Sequence, residues 1–131
     1  MPISTAKIAC TLVGSNGSAT ADVKTSRNWN GRVVGVYIDY QSQPATTTVT
    51  VKTAGSNAPS LGILTLPAGN TSQWYRPLIA QNKTDGTAAL YAASFPVLSE
   101  IAVDDYLEVI PALGNAGAFN VWVLLETDFA Q

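Results

Sequence analysis

A chain of 131 residues, 47% apolar and only 12% charged, is one domain's worth of sequence, long enough to bury a core without staples. Its formal net charge is −2, and Lys7, Lys24, Lys52, Lys83, Arg27, Arg32 and Arg76 are scattered along it, which argues against a nucleic-acid partner, since a phosphate-binding surface concentrates positive charge. There is no histidine and one cysteine, Cys10, so an intrachain disulfide and the histidine-based triads and metal centres are excluded.

The N-terminus lacks the basic and apolar segments of a secretory signal, and no apolar run approaches the ~20 residues that span a bilayer. A soluble product of a cytosol, with no membrane partner, is expected. Met1, Pro2, Ile3, Ser4 and Thr5 carry few groups that tie a terminus to its own fold. They are expected as an extended N-terminal arm held by a neighbouring subunit.

Period-two alternation then recurs between turn residues. Ala6 to Val13 is a strand with Ile8, Cys10 and Leu12 on one side. Ala19 to Thr25 is half exposed, Ala19, Ala21 and Val23 opposing Thr20, Asp22 and Lys24. Asn28-Trp29-Asn30-Gly31 reads as a turn. Arg32 to Tyr40 is β-branched and aromatic on both sides, the pattern of a central strand. Thr46 to Thr53 alternates Val49 and Val51 with threonines, and Leu61 to Leu66 follows a Gly/Ser/Asn/Pro loop.

Thr71 to Phe95 is the least patterned stretch. Gln73-Trp74-Tyr75-Arg76-Pro77 reads as a short strand halted by proline, and Ala88 to Ser94 fits a strand or one helical turn. Val97 to Val103, Tyr106 to Ala112 and Phe119 to Thr127 are strands, the last two spaced as a hairpin across Gly114-Asn115-Ala116-Gly117. In the final strand Phe119, Val121, Val123 and Leu125 face one way, while Trp122 and Leu124 share the other. The whole predicts a single all-β domain over 1–131, an antiparallel, jelly-roll-like β-sandwich of about eight strands. Its core is expected to hold Ile8, Cys10, Leu12, Val23, Val36, Ile38, Val49, Val51, Leu107, Val109, Val121 and Val123.

Chemistry is hard to place on these residues. A glycosidase needs two carboxylates facing each other across a cleft. Asp104 and Asp105 are adjacent, so a strand points them to opposite faces. Their spacing with Glu100 matches no calcium loop, and they read as solvated loop acids. No catalytic residue, metal site or cofactor is expected, and the chain reads as a non-enzyme.

The aromatics divide two ways. Trp122 and Leu124 are candidate subunit contacts, because aromatic anchors on a low-charge surface suit an interface. Trp29, with Trp74, Tyr75 and Arg76, is the candidate sugar-stacking platform of an alternative reading, a carbohydrate- or receptor-binding module of a phage fibre. Against it stands a purely structural use, Trp29 plugging the end of the sandwich and Trp74 and Trp122 serving as anchors.

Two stretches carry a resemblance. One is Gly31-Arg32-Val33-Val34-Gly35-Val36-Tyr37-Ile38-Asp39-Tyr40-Gln41-Ser42-Gln43-Pro44 with the Thr/Val strand after it. The other runs from Val103-Asp104-Asp105-Tyr106-Leu107-Glu108-Val109-Ile110 through the glycine-rich turn to Val121-Trp122-Val123-Leu124-Leu125-Glu126. In this plan the chain resembles the capsid decoration, or cement, proteins and related accessory head proteins of tailed bacteriophages, in which a short acidic turn, a strand, a glycine-rich turn and a closing strand often end the domain. The resemblance implies a structural virion protein that binds the major capsid protein on the capsid surface, assembled in the host cytoplasm, often as a homotrimer. It transfers no functional residue.

Overall fold

The computed structural model describes residues 2–92 and 95–127. Among them twelve strands form: β1 Ile3–Leu12, β2 Val23–Lys24, β3 Trp29–Asp39, β4 Thr48–Thr53, β5 Gly62–Leu66, β6 Gln73–Tyr75, β7 Leu78–Ala80, β8 Leu90–Ala92, β9 Phe95–Pro96, β10 Leu98–Asp105, β11 Leu107–Ala112 and β12 Gly117–Glu126. No helix occurs among the described residues.

Eight of these strands build the sandwich. One sheet runs β1-β12-β3-β10 and the other β2-β11-β4-β5, with antiparallel pairing throughout. The chain crosses from sheet to sheet at β1–β2, β2–β3, β3–β4, β5–β6, β10–β11 and β11–β12, and the first strand lies beside the last. That is the strand order of a jelly roll, and the expected fold is present. The other four strands are an excursion between β5 and β10: β6 pairs with β3, β7 with the start of β10, and β8 with β9.

Alternation explains the core. β1 buries Ala6, Ile8, Cys10 and Leu12, and β12 buries Phe119, Val121, Val123 and Leu125. The opposing sheet supplies Val49, Val51, Leu107 and Val109. Every expected core residue is buried except Val23, which packs half-buried against the cluster. A large side chain fully buried here contributes about 1.5–3 kcal/mol. In β3 the alternation is broken by a bulge: the ladder steps from Leu124↔Gly35 to Leu125↔Val33, leaving Val34 as the extra residue. Val33 and Val36 therefore both face inward.

Several expectations need correction. β11 and β12 are not a hairpin: β11 pairs with β2 and β4 while β12 lies in the other sheet. Trp29, Asn30 and Gly31 are not a turn but the first rungs of β3, opposite Asp105, Asp104 and Val103. Asp104 and Asp105 accordingly end a strand instead of forming an acidic turn. They do face opposite ways, Asp104 exposed and Asp105 buried. Ile3, Ser4 and Thr5 form no arm, because they pair with Glu126, Leu125 and Leu124 of their own chain. Pro2 precedes them and accepts a bond from the Thr127 N–H at 3.0 Å; Met1 lies outside the described residues. The stretch left open at Ala88 to Ser94 contains strand β8, and Ala93 and Ser94 lie outside the described residues.

Candidate functional site

The outer face of the larger sheet gathers the aromatics. β12 turns Trp122 outward, and its neighbours on either side in register are Lys7 of β1 and Tyr37 of β3. Tyr37 in turn lies opposite Trp74 of β6. Lys7, Trp122, Tyr37 and Trp74 thus form one row across four adjacent strands. The Tyr37 ring sits 5.1 Å from Trp74 and 5.9 Å from Trp122, tilted by 57° and 61°. Such tilted pairs add about 0.5–1.5 kcal/mol beyond the area they bury. The Lys7 ammonium lies 5.2 Å from the Trp122 ring, a cation–π contact that closes the row.

The next row is Thr5, Leu124 and Gly35. Gly35 has no side chain to fill the space between Trp74 and Leu124, whose atoms lie 3.6 and 3.8 Å from where a Cβ would sit. A shallow groove of about 560 Å³ results, lined by Thr5, Tyr37, Trp74, Trp122 and Leu124. Beyond it Glu126 pairs with Arg32, Arg32 reaches Glu100 at 4.0 Å, and Arg76 meets Glu100 at 3.3 Å. These ion pairs are solvent-exposed and weak in stability terms, but they give the groove a charged rim.

The structure divides the candidate residues. It joins Thr5, Trp122 and Leu124, expected at an interface, to Trp74, expected in a stacking platform. Tyr75 is half-buried on β6 and Arg76 belongs to the charged rim. Trp29 takes no part: it is buried, and the Arg27 guanidinium lies 3.9 Å from its ring. Tyr37, the hub of the row, was missed, because it sits in a run apolar on both faces that signals only a central strand.

A second feature was also missed. Leu78, Ile79, Leu90, Phe95, Val97 and Leu98 are all exposed, Phe95 by 56% and Leu98 by 51%. They belong to one unit: β7 pairs with β10, and the main chains of Gln81, Ala89 and Val97 bond to one another.

Other groups are structural. Asp105 is not a solvated loop acid. Its carboxylate accepts from the N–H groups of Gly55 at 2.9 Å and Tyr106 at 2.7 Å, pinning the loop after β4. Burial alone raises its carboxyl, but these bonds with those of Asn57 and Ser56 outweigh it and hold it below the usual range. Glu108 goes the other way, raised by a shared hydrogen bond with Asp22, then by burial and by the Asp22 charge, against Lys52 and Lys24. Burial pushes the Cys10 thiol up to about 11, so it stays protonated and unreactive. Among the described residues no three His, Cys, Asp or Glu side chains stand together as a metal site. What the outer face offers chemically is stacking and apolar contact.

Comparison with family models, curated proteins and solved structures gives no match, so the reading of this surface rests on its own residues.

Proposed function

We propose that the protein is a structural virion component, a decoration or cement subunit that binds and stabilises the capsid lattice of a tailed phage, without catalysis of its own. The observation that carries this reading is the apolar unit of β7, β8, β9 and the start of β10. Leu78, Ile79, Leu90, Phe95, Val97 and Leu98 are held on a hydrogen-bonded framework and exposed to solvent. Six apolar side chains left exposed on one small unit favour a protein contact in a domain that otherwise buries its core well. The jelly roll agrees with the reading, being a fold of viral capsid domains, but it is equally a lectin fold and does not choose alone.

The test is co-sedimentation of the protein with undecorated phage heads. In this reading the intact chain pellets with the heads, and Leu98→Asp with Ile79→Asp abolishes binding while melting stays unchanged. Undiminished binding by that variant defeats the assignment of the surface, and no binding by the intact chain defeats the reading.

One observation favours a second reading, a carbohydrate- or receptor-binding fibre module: the Trp74–Tyr37–Trp122 row with Trp74 56% exposed. Glycan-array binding that Trp74→Ala removes supports it, and an array blank for the intact protein sinks it.

A further inference from the structure

The groove on the outer face of the larger sheet has the dimensions of a ligand site. Its volume of about 560 Å³ falls within the roughly 300–1,000 Å³ of small-molecule pockets. The Tyr37 ring is tilted by 57° to Trp74 and by 61° to Trp122, so the three cradle one sugar ring instead of forming a flat platform. Gly35 leaves the space between Trp74 and Leu124 open. Thr5 and Tyr37 each bring a hydroxyl, and Trp74 and Trp122 an indole N–H. No hydrogen bond among the described residues takes these four groups up.

The charges around the groove are unevenly committed. On one side Arg32 is paired with Glu126 and Glu100, and Arg76 with Glu100. On the other side Lys7 is exposed, beside Trp122 in register and on the same face of β1 as Thr5. Among the described residues Lys7 enters no ion pair, and its ammonium rests against the Trp122 ring at 5.2 Å. Asp39 lies beyond Tyr37, away from Gly35, and both its carboxylate oxygens accept bonds from Gln41. An ammonium held only by a ring face keeps its N–H donors for an anion.

Resting on the carbohydrate-binding reading above, we infer that the groove takes a D-hexuronate, the carboxylate-bearing pyranose of acidic polysaccharides, with its carboxylate on Lys7. The apolar C–H face of the ring lies against the aromatic row. A D-hexuronate carries its carboxylate equatorially, in the mean plane of the ring. From a ring stacked on the aromatics such a group reaches sideways to Lys7, just past Trp122. The carboxylate of α-linked sialic acid is axial and leaves that plane, and a neutral hexose offers Lys7 no charge. Hydroxyls on the opposite edge of the sugar meet Arg32 and Glu126, which supply donors and acceptors together. The groove shares no residue with the exposed apolar unit of β7, β8 and β9, so sugar binding and capsid docking are compatible in one chain.

Titration calorimetry of the full-length protein tests this. The probes are oligosaccharides containing mannuronate, glucuronate or galacturonate, their carboxyl-reduced forms, and α-sialyllactose. One uronate series is expected to bind, and reducing its carboxyl to the alcohol to weaken binding about tenfold, the worth of one charge-assisted hydrogen bond. Lys7→Gln is expected to erase that difference. Gly35→Ala is expected to weaken both forms, because its methyl stands 3.6 Å from Trp74 and 3.8 Å from Leu124 inside the groove. Equal binding of the uronate and its reduced form, or tighter binding of sialyllactose, overturns the inference and leaves the carbohydrate reading standing. A difference that survives Lys7→Gln overturns the place given to the carboxylate. Binding of none of the probes overturns the inference, and the glycan array decides separately whether the carbohydrate reading falls with it.

Discussion

Gln43 and Asn115, 72 residues apart in the chain, bond to each other reciprocally: the Asn115 N–H donates to Gln43 Oε1 at 2.8 Å, and Gln43 Nε2 donates to the Asn115 carbonyl at 3.0 Å. The buried amide imitates a strand rung and ties the turn before β12 to the segment between β3 and β4. Nε2 also reaches the Ala118 carbonyl at 3.3 Å. Gly114 is required beside it, because a Cβ there would stand 2.4 Å from Gln43 Oε1. Gln43→Ala leaves these main-chain groups without partners and is expected to cost about 1–3 kcal/mol in urea unfolding. A loss within error means that water replaces the amide freely.

The sequence made this sandwich legible where one face of a strand is buried and the other wet. Lys7, Ala9 and Thr11 alternate with Ile8, Cys10 and Leu12, and Thr50 and Lys52 with Val49 and Val51, so period two marks both the strand and its inner face. Partnership between strands was not legible. Gly114 to Gly117 has hairpin composition, yet the turn carries the chain between sheets, since in a jelly roll consecutive strands pair with distant ones. Asn28 to Gly31 has turn composition, but Trp29 is more stable buried, and Gly31 passes close to the Glu126 carbonyl. The site suffered most. Trp122 and Leu124 were visible as an outward apolar pair, but their meeting with Tyr37 and Trp74 depends on β3 lying between β12 and β6, a long-range fact. Leu78, Ile79, Leu90, Phe95, Val97 and Leu98 are all exposed, so no periodic burial reveals them.

The tryptophans separate structural from surface roles. Trp29 is 7% exposed beneath Arg27, whereas Trp74 is 56% exposed. Trp29→Ala is expected to cost about 3–5 kcal/mol, the range for emptying a buried aromatic site. Trp74→Ala forfeits chiefly its pairing with Tyr37, about 1 kcal/mol. Equal losses in thermal unfolding would show that Trp74 is a core residue after all.

Two glycines with positive φ give a controlled comparison. Gly86 has φ +87° and open space where a Cβ would go, while Gly31 has φ +134° and would place a Cβ 2.5 Å from the Glu126 carbonyl oxygen. Gly86→Ala therefore costs only left-handed strain, about 1–2 kcal/mol. Gly31→Ala adds a clash with main chain that cannot swing aside, and overpacking of this sort costs about 1–3 kcal/mol more. Denaturant midpoints that rank the two variants alike would remove the close approach of β3 to β12 as the cause.

The acid–base behaviour of stability is expected to carry two opposite signatures. Asp105 has its folded pKa held down, so its contribution is present above the unfolded value of about 3.9 and is lost as pH falls through the folded value. Glu108 has its folded pKa raised, so its contribution is fully present below the unfolded value of about 4.3 and is lost as pH rises through the folded one. Glu108→Gln keeps a neutral hydrogen-bonding group beside Asp22 at every pH. It is expected to match the natural chain in acid and to exceed it in stability above the folded pKa. Asp105→Asn behaves conversely, less stable at neutral pH because an amide accepts fewer bonds from Tyr106, Gly55 and Asn57, and converging with the natural chain as acid protonates the carboxyl. Urea midpoints of the three proteins across the carboxylate range decide the matter. Three parallel curves would mean that neither carboxyl changes its protonation behaviour on folding, and the bonds assigned to Asp105 and Glu108 would then not govern stability.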